Sequence, residues 1–260
     1  MNPHRPTALF LVSALSIPLH AATLAPLRAH CSIGPSEDPG KFSLRVDREE
    51  CNEDRHCGSN FNNESLSRFT GISLSDLSRE SAALTATLAA EPGAFTCSGT
   101  VHDGWLHGES VFTPDMAFVQ RMEGMGFTGY NSEKLEAYTF IGVDSAFAKS
   151  LQQTGIHGIT VDNLIALRIF SVTPDYIHSL TALGYELPSA DQLIGLKVQG
   201  VNGEEVREIR SLGFQPTLDE LVQIRIFKIT PDFIRRMQGR GLKDLTIAKL
   251  VQIRIFKLDD

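Results

Sequence analysis

The chain has 260 residues, 42% of them apolar and 21% charged, and a net charge of −7. That length suits one large domain or two smaller ones. The acidity argues against a nucleic-acid partner, whose phosphates call for a basic footprint.

The first elements concern the compartment. Residues 1–6 carry Arg5 and no acid, residues 7–19 (TALFLVSALSIPL) are apolar, and Ala21 and Ala22 follow. A basic start, a short apolar run and small residues predict a secretory signal peptide over residues 1–22. The run is too short to span a bilayer comfortably, which takes about 20 residues, and no later stretch qualifies. A periplasmic or extracellular protein without a transmembrane segment is expected. Removing the peptide moves the net charge to about −8.

Four cysteines, Cys31, Cys51, Cys57 and Cys97, all precede residue 98. An even count in an exported chain suggests disulfides, and four cysteines allow three connectivities. The favoured pairing joins Cys51 to Cys57 around a short polar loop. It also joins Cys31 to Cys97, tying the start of the domain to a later strand. Zinc is a weaker reading, because the sequence has no C-x-x-C pair.

Residues 30–112 read as a small antiparallel β domain of four to six strands. Residues 41–48 (KFSLRVDR) alternate apolar and polar, as a strand with one buried face does. Residues 83–90 form a strand or a helix. Residues 94–101 and 105–112 form strands, with turns at Glu91-Pro92-Gly93 and at His102-Asp103-Gly104. A loop with a short helix fills residues 64–80. His102, Asp103 and His107 could be offered as metal ligands, but a hairpin turn and exposed strand ends explain them better. No metal and no cofactor is expected.

Residues 113–258 repeat. The octamer LVQIRIFK occurs at 221–228 and again at 250–257. Its opening leucine recurs as Leu135, Leu164, Leu193, Leu221 and Leu250, at steps of 29, 29, 28 and 29. A glycine recurs in phase as Gly126, Gly155, Gly184, Gly213 and Gly241. Two markers keeping one period over five copies indicate internal repetition.

Each copy predicts two short helices. The first starts at a capping residue, Thr113, Asp144, Thr173, Asn202 or Thr230, and ends at the recurrent glycine in a left-handed conformation. Proline follows three of these caps, at the helical position where a missing N–H costs nothing. Asp115, Asp175 and Asp232 come next, at the positive end of the helix dipole.

The second helix is capped by Asn131, Thr160, Ser189, Thr217 or Thr246. Ser189 with Gln192, and Thr217 with Glu220, predict capping boxes. These caps decide an ambiguity, because Val222, Ile224 and Ile226 alternate as a strand would. Helix pairs of this size bury their apolar faces only by stacking. The expected fold class is therefore α+β: a small disulfide-containing antiparallel β domain followed by an α-solenoid of five two-helix repeats.

Four residues after the marker leucine stand Arg168, Lys197, Arg225 and Arg254, with Thr139 in the first copy. Stacking would align these cations. They make either a basic binding stripe or a structural array. In the array each cation would pair with an acid such as Asp175, Glu204 or Asp232, or with the carbonyls ending its own helix. The structural array is the favoured reading. Phe170, Phe227 and Phe256 are expected in the core between copies.

Residues 165–185 (IALRIFSVTPDYIHSLTALGY) resemble a repeat of exported bacterial proteins. The same repeat occurs as a C-terminal extension of some membrane metallopeptidases related to β-lactam sensor proteins. Residues 93–127 (GAFTCSGTVHDGWLHGESVFTPDMAFVQRMEGMGF) resemble the strand segment that precedes such repeats. The resemblance implies a bacterial envelope protein that binds something. The peptidase activity does not carry over, because the chain has no H-E-x-x-H. Asp144-Ser145 and Asn202-Gly203 depart from the usual Thr-Pro but keep a capping residue.

The expected function is that of a non-enzymatic binding or scaffolding protein with a protein partner. One alternative is a regulatory partner of a membrane sensor-protease system. Another is an enzyme or metal-binding protein acting through the β domain, for which no nucleophile–base set, carboxylate pair or phosphate loop is visible. The last copy ends close to Asp260, with no extra polar helix over it. Self-association through that copy is therefore also expected.

Overall fold

The computed structural model describes residues 24–48, 58–242 and 244–258. The signal-peptide expectation and the Cys51–Cys57 pairing lie outside them. Six antiparallel strands come first: β1 (Leu27–Pro35), β2 (Lys41–Asp47), β3 (Gly58–Ser65), β4 (Ala83–Ala90), β5 (Gly93–His102) and β6 (Trp105–Pro114). Their order in the sheet is β3-β2-β1-β6-β5-β4, so two three-strand meanders join where β1 pairs with β6.

Residues 83–90 are a strand, which settles the helix alternative. Asp103 and Gly104 both take positive φ in the two-residue β5–β6 turn, as such tight hairpins require. Short 3-10 turns at Leu66–Arg68 and Asp76–Ser78 occupy the expected loop. Strands β1 and β3 were not among the predicted elements.

The sheet curls sharply about β6. Cys31 on β1 and Cys97 on β5 are disulfide-bonded with Cα atoms 6.1 Å apart, although β6 lies between their strands. Two flat strand spacings would separate them by about 9–10 Å. The curl depends on Gly99 and Gly108, which face each other in the β5–β6 ladder. A Cβ at Gly99 would lie 1.9 Å from the His107 carbonyl oxygen, and one at Gly108 would lie 2.0 Å from that of Ser98. The bridge closes a separation of 66 residues. By loop entropy, a closure of that length is worth about 4 kcal/mol.

Ten helices follow among the described residues: α1 (Met116–Gly124), α2 (Ser132–Ile141), α3 (Ser145–Gln152), α4 (Asn163–Ile169), α5 (Pro174–Thr181), α6 (Ala190–Val198), α7 (Gly203–Ser211), α8 (Leu218–Ile226), α9 (Pro231–Gly239) and α10 (Ile247–Ile255). The duplicated octamer is helical in both places, ending α8 and α10.

Most caps stand where the sequence puts them. The Asp144, Thr173, Asn202 and Thr230 side chains accept backbone N–H bonds at the first helices, as do Asn131, Ser189, Thr217 and Thr246 at the second. Both capping boxes form. Thr160 and Asn163 make a third, unanticipated box. Thr113 is an exception: β6 holds it in the ladder, and Asp115 caps α1 instead. All five marker glycines have positive φ.

The second helices touch in series, α2 to α4, α4 to α6, α6 to α8 and α8 to α10. Among the first helices, α1 meets α3 and α7 meets α9. The buried apolar side chains form one cluster running from Ala29 on β1 to Val251 on α10.

The joint between sheet and helices is α2, which packs on β4, β5 and β6. Phe140 sits 4.4 Å from the Phe61 ring and 5.0 Å from that of Phe95. The buried Glu136 carboxylate pairs with Arg48. Arg68 donates to the Thr139 and Phe140 carbonyls, both at 2.7 Å, and so serves the negative end of α2.

Candidate binding face of the second helices

The four ladder cations occupy equivalent places, one residue before each second helix ends. Each reaches back to the third residue after the cap of its own copy's first helix. The Arg168 guanidinium lies 5.1 Å from the centroid of the Phe147 ring. The Lys197 ammonium is 4.5 Å from the centroid of Tyr176, and Arg254 is 3.9 Å from that of Phe233. In the fourth copy the equivalent first-helix residue is Glu205, and Arg225 forms an ion pair with it at 3.2 Å. The first copy keeps the ring, as the buried Phe118, but has Thr139 in place of the cation.

A second contact crosses between copies. Arg225 Nε donates to the Gln199 carbonyl at 2.8 Å, and Arg254 donates to the Lys228 carbonyl at 3.3 Å. Gln199 is the C-cap of α6, where a cation meets the negative end of the dipole, and Lys228 lies in the turn two residues beyond α8. The expected partners Asp175, Glu204 and Asp232 are not those that the ladder reaches. The carbonyls belong to the previous helix rather than to the cation's own. Three of the four cations are held instead by the face of an aromatic ring.

Further polar links recur in phase. Gln152 donates to the Met125 carbonyl and Gln238 to that of Leu212, both at 2.9 Å, while Arg210 donates to Leu183. At the other end of the second helices, Lys134 pairs with Asp162 at 2.6 Å, Asn163 contacts Asp191 and Gln192 contacts Asp219. Tyr138 donates to the Val161 carbonyl at 2.6 Å and Tyr176 to that of Val201 at 3.2 Å. Burial pushes the Tyr138 hydroxyl above its ordinary range and that of Tyr176 up to about 12, so both remain donors at neutral pH.

One row on this face was not singled out in the sequence. The residue after each cation is apolar: Ile169, Val198, Ile226 and Ile255, exposed by 56%, 49%, 52% and 52%. Its counterpart in the first copy, Phe140, is 2% exposed beneath the sheet. The phase alignment that found the cations would have found this row one position later. The aromatic residues beyond it are not uniformly core. Phe227 is half-buried, but Phe170 is 38% and Phe256 68% exposed.

Clefts open between the copies. One of about 580 Å³ is lined by Asp144, Phe147, Ser150, Arg168 and Thr173. Another, of about 400 Å³, runs between α6 and α8 beside Gly195 and Val222.

The histidines of the β region do not converge. His102 Nδ1 lies 2.9 Å from Glu80, and His107 Nδ1 lies 3.1 Å from Ser32 Oγ. Asp103 shapes the hairpin turn. Among the described residues no three His, Cys, Asp or Glu side chains cluster as a metal site would require, and no helix is long and apolar enough to cross a membrane. No family model, curated protein or solved structure matches the chain.

Proposed function

We propose that this protein is a non-enzymatic, exported binding or scaffolding protein of the cell envelope. Its helices form an α-solenoid of five two-helix repeats over residues 113–258, carried on a disulfide-stapled β domain over residues 30–112. A protein partner docks on the repeat surface. The single observation that carries this reading is the in-phase recurrence of contacts along the second helices. The same cation position and the same cap-side polar link return from copy to copy. Repeat arrays of this kind present extended surfaces for macromolecules rather than one enclosed chemical site. The Cys31–Cys97 disulfide fits an oxidising compartment.

The test is photo-crosslinking of the exported full-length chain in native envelope, with probes at Gln223 and Gln252 on the second helices and at Thr85 on the sheet. Protein adducts at the helix probes support the reading. Adducts confined to Thr85, or none at all, overturn it.

A further inference from the structure

We propose that the exposed row Ile169, Val198, Ile226 and Ile255, with the cations beside it, binds an extended acidic segment of a partner protein. That segment carries an apolar side chain at every third residue. The inference rests on the repeat-surface reading above and names its face and the chemistry of its ligand.

The row is continuous with an interface already formed. At the same phase, Phe140 is covered by the Phe61 and Phe95 rings of the sheet. The position is thus apolar in five copies of five, covered by protein in the first and about half exposed in the other four. Isolated exposed aliphatic residues are ordinary, but a row of them in consecutive packed helices is what an interaction surface requires.

Charge selects the occupant. Each row member follows a cation in sequence. Arg168 and Lys197 lean on the rings of Phe147 and Tyr176, which hold a cation without neutralising it. Lys228 and Lys257 stand exposed two residues beyond Ile226 and Ile255. Within the ladder, Glu205 supplies a carboxylate to Arg225. Every member of the row therefore has a cation beside it in sequence, which suits carboxylates on the ligand and disfavours a basic segment.

Spacing selects the conformation. Axes of packed neighbouring helices lie about 8–10 Å apart. A polyproline II chain rises about 9.3 Å in three residues, so its every third side chain returns to one face in step with the copies. A two-residue strand period of about 6.7 Å does not keep step.

The test uses fluorescence anisotropy at low ionic strength with the peptide IPDIPDIPDIPD, its basic counterpart IPKIPKIPKIPK and a scrambled acidic sequence. The proteins are the full chain and its I169S/V198S/I226S/I255S variant, with folding checked by circular dichroism. The I169S/I226S double variant serves if the quadruple variant does not fold. Saturable binding of the acidic triplet peptide is expected, with at least tenfold weaker binding of the other two peptides and at least tenfold loss in the variant. Failure of the acidic peptide to bind, or equal binding by the variant, overturns the proposal. Repeating the envelope crosslinking with the variant separates the two readings. Adducts at Gln223 and Gln252 that survive the four substitutions remove this row while leaving the repeat surface as the docking site. Peptide binding through the row without any envelope adduct keeps the row and removes the broader reading.

Discussion

The second helix of the first copy and its four successors share one phase and differ in what lies beside them. One residue after the marker leucine, the first copy has the buried acid Glu136, and the others have Ile165, Ile194, Val222 and Val251. Four residues after it, Thr139 is fully buried where the others carry the cation ladder. Five after it, Phe140 is buried where the others expose an aliphatic side chain. The helix itself barely registers these exchanges, because capping residue, marker leucine and terminating turn are common to all five. Neighbour identity, not helix propensity, set these three positions. Where the sheet covers α2, charge moved inward to meet Arg48, and the exposed cation became a small hydroxyl.

The comparison breaks most severely at the buried pair. Arg48→Ala leaves Glu136 without its counter-charge and should cost about 3–5 kcal/mol in urea unfolding. Replacing both, as Arg48→Met with Glu136→Ile, makes α2 resemble its successors and should recover most of that loss. The pH dependence has a defined sign. Burial raises the Glu136 pKa above its ordinary value of 4.5, with Arg48 opposing. The folded state therefore keeps this proton to higher pH than the unfolded chain does. The stability that the group contributes is complete below the ordinary glutamate range and is lost as pH rises through the folded value. Stability of Glu136→Gln relative to the native chain should accordingly increase across that window. A difference that stays level with pH would remove the burial argument.

An exchange at the ladder position should be smaller and asymmetric. Thr139 is packed without free space, and its hydroxyl donates to the Leu135 carbonyl at 3.0 Å. Thr139→Arg should cost about 1–3 kcal/mol from overpacking alone. The reverse change, Arg225→Thr, gives up one carbonyl bond and one exposed ion pair, and should cost only about 1 kcal/mol. Calorimetric unfolding of the two single variants decides it, and equal losses would mean that the sheet does not constrain α2 as described.

The helices were legible because their signals are local. A cap, a left-handed glycine and an apolar period each act within one helix, so all second helices were placed from sequence alone. The sheet was only partly legible. Strand β1 does alternate, with Ala29, Cys31 and Ile33 inward and His30 outward, but the alternating stretch is short and was not singled out. Strand β3 (GSNFNNES) carries one large apolar residue and is a strand only because the edge of β2 supplies its hydrogen bonds. The Cys31–Cys97 pairing could be inferred, yet the curl that makes it reachable needs Gly99 and Gly108 side by side, a relation of register rather than of composition. The ladder positions were found, but their partners were not. Pairing rules for charges pointed to nearby acids, and three of the four cations rest on rings whose phase is visible only once both helices of a copy are superposed.

The smallest expected effect bears on the turn that ends every second helix. Seven residues after the marker leucine, Gly142, Ser171, Gly200, Lys228 and Lys257 all take positive φ. The next residue, Val143, Val172, Val201, Ile229 or Leu258, donates its N–H back to the carbonyl five residues earlier, closing a Schellman turn. Only two copies use glycine, so the other three hold a side chain in a conformation that glycine adopts without a Cβ penalty. Lys228→Gly should stabilise the chain by about 0.5–1 kcal/mol, and Ser171→Gly by a similar amount. The reverse changes should not be equivalent. A Cβ at Gly142 has no atom closer than Arg168 at 3.7 Å, whereas at Gly200 it meets the Arg225 guanidinium at 3.3 Å. Gly200→Lys should therefore cost more than Gly142→Lys, by the disturbance of a ladder cation as well as by the left-handed backbone. Equal costs in thermal unfolding would show that Arg225 is not held where the ladder requires it.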